Sequence, residues 1–278
     1  MKRICIYGKG GIGKSTVVAN TAAAAAAEGK RVLVVGCDPK ADTTRVLMHR
    51  TIETILDAHT RLGGEPPVDA ILHRGAFGVA CLESGGPRAG EGCAGRGIAL
   101  ALQDIRDLEI VESLQPDLIL FDVLGDVVCG GFSTPLRANA ADTAYIVTTS
   151  DFMAVYAANN IAACIRKYAQ RGGCRLGGLI FNARSAAGDE AFVSEFAGKI
   201  GSSVVGRIPM DRAITRAELK RMTVLEHAPE APSAQSFRSL ARHFLTAEEG
   251  VVPEPLDGEA LESLGDRMAE AAFREENL

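Results

Sequence analysis

A glycine-rich segment near the start of the chain has the residue types and spacing to bind phosphate. The fragment GKGGIGKST (residues 8–16) matches the pattern G-x-x-x-x-G-K-[ST] and lies between a predicted first strand and a predicted first helix. In such a loop the backbone N–H groups and the helix start point at phosphate oxygens. Lys14 would contact the β and γ phosphates of a nucleotide, and the Ser15 hydroxyl would ligate Mg²⁺. The segment therefore predicts a nucleotide site.

Three further charged residues fit a nucleotide site. Lys9 is a second lysine within the loop, and it would compete with Lys14 unless it serves another phosphate. Asp38 and Asp122 each end an apolar run, so each would lie at the ligand-binding edge of a parallel sheet and could position Mg²⁺ or water. The two-lysine pattern resembles the deviant P-loop ATPases, in which the extra lysine reaches the partner subunit's ATP. That resemblance implies a homodimer.

Two of the cysteines have an unusual setting. The chain has seven cysteines, an odd number that argues against a disulfide framework. Cys93 and Cys129 are flanked by glycine, in GEGCAGRG and DVVCGGF, which permits close backbone approach to a bulky group. A [4Fe–4S] cluster takes four thiolates, so two cysteines per chain would place it on the two-fold axis of a homodimer. From the cysteines alone, buried structural thiols remain the alternative.

The elements that would position these residues follow from the apolar runs. Runs rich in valine and isoleucine alternate with helix-length segments, which predicts a doubly wound α/β fold with a mostly parallel sheet. Helices are expected at residues 14–28, near 97–102 and at 154–170, and residues 66–97 are expected to form a long surface path. The expected strands are RICIYG, RVLVVGCD, LEIVESL, DLILFDV, TAYIVTTS, LGGLIFN and SSVVGRIP.

Composition and charge narrow the class of protein. With 278 residues, 47% of them hydrophobic, the chain is expected to be globular, with a P-loop domain in residues 1–247. Residues 248–278 hold ten acidic and two basic residues, which gives them a net charge of −8. Because the whole chain carries −5, residues 1–247 carry +3. A body without a basic run argues against nucleic acid as a partner. The absence of a long apolar run or signal peptide predicts a cytoplasmic protein without a membrane partner.

The acidic residues 248–278 are predicted to form a C-terminal tail with a short helix at 261–274. That helix could pack on the body, pack on a partner or remain solvated.

Longer fragments resemble one family. GKGGIGKST, VGCDPKADTTR, ESGGP, GCAGRG, FDVLGDVVCGGF, YAANNI, RLGGLI and RAELKRMTVLE, spread over residues 2–242, are together similar to the nitrogenase iron proteins. The resemblance implies an ATP-dependent reductase: a homodimer that holds one [4Fe–4S] cluster between Cys93 and Cys129 of both subunits. It further implies MgATP and MgADP as ligands, a heteromeric nitrogenase-type catalytic component as electron acceptor, and ferredoxin or flavodoxin as electron donor.

The resemblance also implies roles for single residues. An exposed arginine near the docking face, which some members ADP-ribosylate, matches Arg96. The catalytic residues would be Lys9, Asp38, Asp122 and Asp126. The phosphates would be held by Gly8, Lys9, Gly10, Gly11, Gly13, Lys14, Ser15 and Thr16. A first switch would contain Asp38, Lys40 and Asp42, a second would span residues 122–132, and the adenine pocket would contain Asn182, Pro209, Asp211 and Gln235.

Chain connectivity suggests how a nucleotide could act on the cluster. Asp122 and Cys129 are seven residues apart, which limits their separation to about 25 Å. Contacts of the γ-phosphate with Asp38 and Asp122 would draw the subunits together and shift residues 126–131. Hydrogen bonding and solvent exposure at the cluster sulfurs, and hence the cluster potential, would then change.

Several positions depart from the family pattern, and they bear on the partner. GPRAGEGCAGRG replaces a proline-rich approach to Cys93, and Thr215 stands where glutamine is usual in the adenine pocket. Reduction of dinitrogen, of methylthio-alkanes or of tetrapyrroles therefore stays open. Two other classes remain as alternatives. A non-redox ATPase switch would not need Cys93 and Cys129, and an iron–sulfur scaffold ATPase typically has a C-x-x-C pair, which this sequence lacks.

Overall fold

A computed structural model describes residues 1–86, 95–125, 133–137, 140–184 and 190–275. A mostly parallel sheet carries helices on both faces, which confirms the predicted doubly wound α/β class. The strands are β1 Lys2–Tyr7, β2 Val32–Gly36, β3 His73–Arg74, β4 Ala80–Glu83, β5 Leu118–Asp122, β6 Thr143–Thr148, β7 Arg175–Asn182 and β8 Val204–Ile208. The helices are α1 Lys14–Ala27, α2 Arg45–Met48, α3 Ile55–Leu62, α4 Val68–Ile71, α5 Gly95–Asp107, α6 Ile110–Leu114, α7 Phe152–Ala169, α8 Glu190–Lys199, α9 Arg212–Leu219, α10 Val224–His227, α11 Pro232–Thr246 and α12 Gly258–Glu275.

The strand order brings three loops to one edge of the sheet. Across the described ranges the order is β3-β4-β2-β5-β1-β6-β7-β8, with β3 antiparallel to β4 and the other pairs parallel. In the register of these strands, Asp122 at the end of β5 pairs with Ile6 of β1 and with Gly36 of β2. The loops that follow β1, β2 and β5 therefore meet at the carboxyl edge, where ligands bind in open α/β sheets.

Both faces of the sheet are buried, which explains why its strands are continuous apolar runs. In β1, Cys5 and Tyr7 join the core on one face, and Ile4 and Ile6 join the core on the other. Successive strand residues point to opposite faces, so a strand covered on both sides has no polar face. The predicted helix at 14–28 is confirmed as α1, and Gly29 (φ 82°) follows its end.

One strand prediction was wrong: LEIVESL contains the short helix α6. The chain enters it through Glu109 (φ 51°), whose carbonyl accepts a hydrogen bond from the Ser113 N–H at 2.9 Å. Ile110 is buried, and Val111 and Leu114 pack against the same core, which is the three- to four-residue spacing of one helical face. An apolar run this short does not separate helix from strand by its pattern.

The expectation for residues 66–97 was also wrong in part. Instead of a continuous surface path, this segment contains β4, whose four residues are all buried next to β2. The motif ACLE is short and carries a glutamate, so its sequence gives little sign of a central strand.

Residues after 247 pack on the body of the protein, one of the three possibilities left open by the sequence. Val251 and Leu176 exchange two backbone hydrogen bonds, at 2.8 and 2.9 Å. The Asn159 side chain donates to the Leu256 carbonyl at 2.9 Å and accepts from the Leu256 N–H at 2.8 Å. Leu264 of α12 is fully buried. In the described ranges, no helix has the length and apolar character needed to span a membrane.

Candidate functional site

The phosphate-binding loop connects β1 to α1 and has a backbone that requires glycine. Gly8, Gly11 and Gly13 adopt φ values of 152°, 72° and 96°, which side chains rarely tolerate. A Cβ at Gly8 would overlap the Val147 carbonyl, and one at Gly13 would contact the Asn182 side-chain amide. The loop therefore lies tightly against the ends of β6 and β7. Its outer side, formed by Lys9, Gly10 and Gly11, is exposed to solvent.

Lys14 lies beneath the loop as a nearly enclosed cation. Its side chain is 6% exposed, and its ammonium donates a hydrogen bond to the Lys9 carbonyl at 3.3 Å. Burial lowers the pKa of Lys14, while the carboxylates of Asp122 and Asp38 act in the opposite direction. A phosphate bound in the loop would add negative charge next to this buried ammonium.

Asp122 connects the phosphate loop with the loop after β2. Its Oδ2 accepts hydrogen bonds from the hydroxyls of Ser15 at 2.6 Å and Thr43 at 2.7 Å. Its Oδ1 is buried and has no hydrogen-bond partner among the described residues. Burial raises the pKa of Asp122, opposed by the charge of Lys14 and by the two hydroxyl donors. An orphaned carboxylate oxygen beside a Walker serine fits a site for hydrated Mg²⁺.

Thr43 is a member of this site that the sequence did not single out. It follows Asp42 in the fragment KADTTR, and its side chain is fully buried. A hydroxyl pair next to a predicted switch carboxylate was the available signal, because a hydroxyl can donate to a buried carboxylate. Thr16, which was predicted, is half-buried, and its carbonyl accepts a hydrogen bond from Asn20 at 2.8 Å.

The loop after β2, residues 38–44, is a compact turn. Asp38 Oδ1 accepts from the Lys40 N–H at 2.9 Å, and the Asp38 carbonyl accepts from the N–H of Ala41 at 3.0 Å. Ala41 has φ 52°, which is uncommon for a residue with a Cβ. Lys40 and Asp42 are exposed, and Asp38 is half-buried. The three residues predicted as a first switch thus share one loop, and Thr43 ties that loop to Asp122.

The residues predicted for the adenine pocket lie at the ends of β7 and β8 and at the start of α11. The Asn182 side chain donates to the Ile12 carbonyl at 2.7 Å, so it lies against the phosphate loop. Asp211 accepts from the Ala213 N–H at 2.8 Å and from the Ser233 hydroxyl at 2.7 Å, so it joins α9 to α11. Burial acts to raise the pKa of Asp211, but these hydrogen bonds together outweigh it and lower that pKa.

Pro209 lies between β8 and α9, and Gln235 is exposed in the first turns of α11. Asn182 pairs in register with Ile208, the last residue of β8. The role of these four residues in binding adenine stays a prediction.

Cys93, Cys129 and Asp126 lie outside the described residues. Four of the five described cysteines have thiol pKa values that do not suit cluster ligation. Burial raises the thiol pKa of Cys5, Cys37 and Cys164, and it raises that of Cys81 to about 12. A metal ligand must be a thiolate, so these raised values disfavour ligation. Within the described ranges, no three His, Cys, Asp or Glu side chains form a group able to hold a metal.

Arg96, predicted at an exposed position, is exposed in the first turn of α5.

Gly125 offers a test of how closely the predicted second switch depends on the phosphate loop. A Cβ at this position would overlap the Gly8 carbonyl. We expect the added methyl group of Gly125→Ala to displace the phosphate loop from its present conformation, at a cost of about 1–3 kcal/mol. That cost would weaken MgADP binding roughly 10-fold or more, measured by calorimetry. Gly198→Ala in α8, where a Cβ would meet no neighbour within 4 Å, is the matched control. Equal affinities in both variants would contradict a tight contact between the two segments.

The fold and this site define a P-loop nucleotide-binding protein of the α/β class, in which a Walker lysine and serine face a strand-end aspartate. The sequence comparison is more specific. The chain belongs to the 4Fe-4S iron sulfur cluster binding proteins, NifH/frxC family, whose sequence model matches residues 2–270. This confirms the family expected from the sequence fragments.

Individual relatives support the same assignment. The chain is 48% identical to the nitrogenase iron protein of Methanococcus voltae over 275 residues, which is 99% of each protein. It is 49% identical to nitrogenase iron protein 2 of Methanothermobacter thermautotrophicus over 262 residues, 94% of this chain and 96% of the relative.

Solved structures with the same fold include two cell division proteins. The MinD ATPase of Pyrococcus furiosus superposes with a TM-score of 0.65 at 26% identity, covering 87% of this chain and 98% of that one. The MinD protein of Aquifex aeolicus has a TM-score of 0.67 at 21% identity, covering 90% of this chain and 100% of that one, which shows the shared fold alone.

The family description names the [4Fe–4S] cluster and thus confirms that predicted cofactor. The phosphate loop before α1 agrees with the prediction that the chain binds MgATP.

Proposed function

We propose that this chain is an ATP-dependent electron-transfer reductase that acts as a homodimer with a bridging [4Fe–4S] cluster. In this proposal it delivers single electrons to a heteromeric nitrogenase-type catalytic component, at the expense of MgATP hydrolysis. Its family and its nitrogenase iron protein relatives support the proposal. The observation that carries it is the position of Asp122. This residue is hydrogen-bonded to the Walker serine and lies seven residues before Cys129 in the chain.

The nucleotide half of the mechanism uses residues of the described site. Backbone N–H groups of residues 10–16 and the Lys14 ammonium would bind the β and γ phosphates, and Ser15 would ligate Mg²⁺. Asp122 would orient Mg²⁺-bound water through its free Oδ1, and Asp38 would contribute to positioning the attacking water. Lys9 is exposed on the outer side of the loop, where it would reach the phosphates bound by the partner subunit.

The redox half uses the segment that begins at Asp122. A [4Fe–4S] cluster, when bound, would accept and release one electron. Cys93 and Cys129 would be its ligands from each subunit. Gly125 lies against the Gly8 backbone, so a change in the phosphate loop would be felt at the start of the 122–132 segment, within which Asp126 would relay it. This segment would therefore couple nucleotide state to the surroundings of Cys129.

The electron acceptor is proposed as a nitrogenase-type component, and ferredoxin or flavodoxin as the electron donor. Nitrogenase iron proteins that are 43–49% identical to this chain favour dinitrogen as the final substrate. Methylthio-alkane and tetrapyrrole reduction use the same proposed ATPase and cluster, so they remain alternatives. Adding each purified catalytic component to the same reductase, and measuring product formation, would distinguish the three substrates.

Iron content and electron paramagnetic resonance of anaerobically purified protein test the core of the proposal. We expect about four irons per dimer and a reduced [4Fe–4S] signal whose line shape changes on addition of MgATP. Cys93→Ala and Cys129→Ala should each lose the iron, whereas Cys164→Ala, a half-buried thiol of α7, should retain it. An iron-free protein that still hydrolyses ATP would contradict the reductase and favour the non-redox ATPase switch.

A further inference from the structure

Glu83 is a buried carboxyl at the end of β4 that none of the roles above uses. Its side chain is fully inaccessible to solvent. Oε1 accepts two hydrogen bonds from one residue, the Thr44 N–H at 2.7 Å and the Thr44 hydroxyl at 2.8 Å. Oε2 is buried without a hydrogen-bond partner in the described part of the chain. A buried carboxyl with an oxygen that makes no hydrogen bond is costly to stability, so Glu83 is a candidate for a role other than stabilising the fold.

The two donors of Thr44 place Glu83 next to the nucleotide site. Thr44 follows Thr43, whose hydroxyl binds Asp122 Oδ2, the same oxygen that accepts from Ser15. Two adjacent buried threonines therefore attach the 38–44 loop to two carboxyls, one at the end of β5 and one at the end of β4. Any displacement of this loop by a nucleotide must change both attachments or carry Glu83 with it.

The backbone around Glu83 is shaped to receive this carboxyl. β2 pairs Gly36 with Glu83 on one side and with Asp122 on the other. A Cβ at Gly36 would overlap Glu83 Oε2, so a larger residue there would displace the carboxyl. The Ser84 N–H donates to the Gly36 carbonyl at 2.8 Å, which fixes the chain immediately after Glu83.

The Ser84–Gly86 loop that follows Glu83 is enclosed by the elements that would have to move together. A Cβ at Gly86 would lie 2.6 Å from the Pro39 Cβ, so this glycine touches the 38–44 loop directly. A Cβ at Gly97 would overlap the Gly85 carbonyl, so the first turn of α5 rests on the same short loop. In sequence, α5 begins two residues after Cys93, and Glu83 precedes Cys93 by ten.

We propose that Glu83 is a positioning residue that couples the 38–44 loop, through Thr44, to the Ser84–Gly86 loop and the start of α5. This would be a second connection between the nucleotide site and a cluster cysteine, separate from the 122–132 segment. It rests on the proposed function, because it gives that mechanism a route to Cys93 as well as to Cys129. Glu83 acts through Thr44 and does not itself contact the phosphates.

Hydrogen–deuterium exchange of the anaerobically purified dimer, with and without MgADP, tests the coupling. In the wild type, MgADP should slow exchange in peptides of the phosphate loop (residues 8–20) and change exchange roughly threefold or more at the start of α5 (residues 95–102). Glu83→Ala should keep the response of the phosphate loop and lose that of α5. Glu83→Gln, whose carbonyl still accepts both Thr44 donors, should restore it.

Thr44→Val removes the hydroxyl donor and keeps the backbone donor, so it should reduce the α5 response even if Glu83→Ala fails to fold. Glu53→Ala, which breaks an exposed ion pair with Arg61, is the control and should respond as the wild type does. A normal α5 response in Thr44→Val and Glu83→Ala, or none in a wild type whose phosphate loop responds, would overturn the coupling alone. Absence of any response in the phosphate loop of the wild type would instead overturn the proposed function.

Discussion

Asp122→Asn is expected to lower MgATP hydrolysis at least 100-fold while raising the thermal stability of the nucleotide-free protein. Loss of one preorganised charge at a reacting group typically costs about 10²–10³-fold in rate. The asparagine carbonyl can still accept from Ser15 and Thr43, so the local geometry should persist. Burial raises the pKa of Asp122, which means that its ionised form destabilises the folded protein at neutral pH. Hydrolysis assays and thermal unfolding at pH 8 measure the two effects.

The opposite signs of these two effects make the prediction specific. A residue that merely held the fold together would lose activity and stability in the same variant. Asp117→Asn, at the other end of β5, removes the same charge from a surface carboxylate that accepts from the Arg31 N–H at 2.8 Å. That control should hydrolyse MgATP at the wild-type rate. Wild-type hydrolysis in Asp122→Asn would exclude Asp122 from the nucleotide site.

The parts of the site that the sequence predicted correctly are those encoded by neighbouring residues. The phosphate loop is local: Gly8, Gly13 and Lys14 lie within seven residues, between a strand and a helix recognisable from their own apolar patterns. Asp122 was also predictable, because a buried strand that ends in one acid has few other uses at a ligand-binding edge.

The parts that the sequence did not reveal depend on contacts between distant segments. Thr43 and Asp122 are separated by 79 residues, and Thr44 and Glu83 by 39. Neither threonine has a motif of its own, since a buried hydroxyl resembles any polar loop residue until its partner is known. Glu83 lies in the family fragment ESGGP, but that resemblance assigned it no role. Register between β2, β4 and β5 is what brings these side chains together.

The short elements β4 and α6 were not predicted correctly, for a different reason. β4 and α6 each span only four or five residues, and both contain a glutamate. Over so few residues, the periods of 2 and 3.6 predict nearly the same pattern, so tertiary packing decides between strand and helix. The long helices α1 and α7 were predicted to within about two residues at each end.

Glu83 leads to the second large expected effect, a pH-dependent stability difference between the wild type and Glu83→Gln. Burial raises the pKa of Glu83 from its ordinary value of 4.5 to about 8, opposed by the Thr44 donors and reinforced by the charges of Asp122 and Asp42. The charge of Glu83 in turn contributes to raising the thiol pKa of Cys37 and of Cys81. Between pH 4.5 and about 8, Glu83 of the folded protein therefore holds a proton that the unfolded chain releases.

The sign of the effect follows from that retained proton. Folding is least opposed at low pH, where Glu83 is neutral in both states, and stability falls as pH rises toward 8. A shift of this size corresponds to a few kcal/mol. Glutamine cannot ionise, so thermal unfolding without nucleotide should show Glu83→Gln only slightly more stable than the wild type near pH 5, just above the ordinary value of 4.5. Near pH 9 it should be more stable by roughly 5–10 °C.

An exposed carboxyl provides the control for this pH dependence. Glu53 is paired with Arg61 on the surface, and the hydrogen bond from Arg61 lowers the pKa of Glu53. The folded protein therefore loses this proton below the ordinary value of 4.5, so Glu53→Gln should differ from the wild type by a nearly constant amount between pH 5 and 9. A constant difference for Glu83→Gln as well would mean that Glu83 is ionised throughout this range. Its unused oxygen would then need a donor outside the described residues.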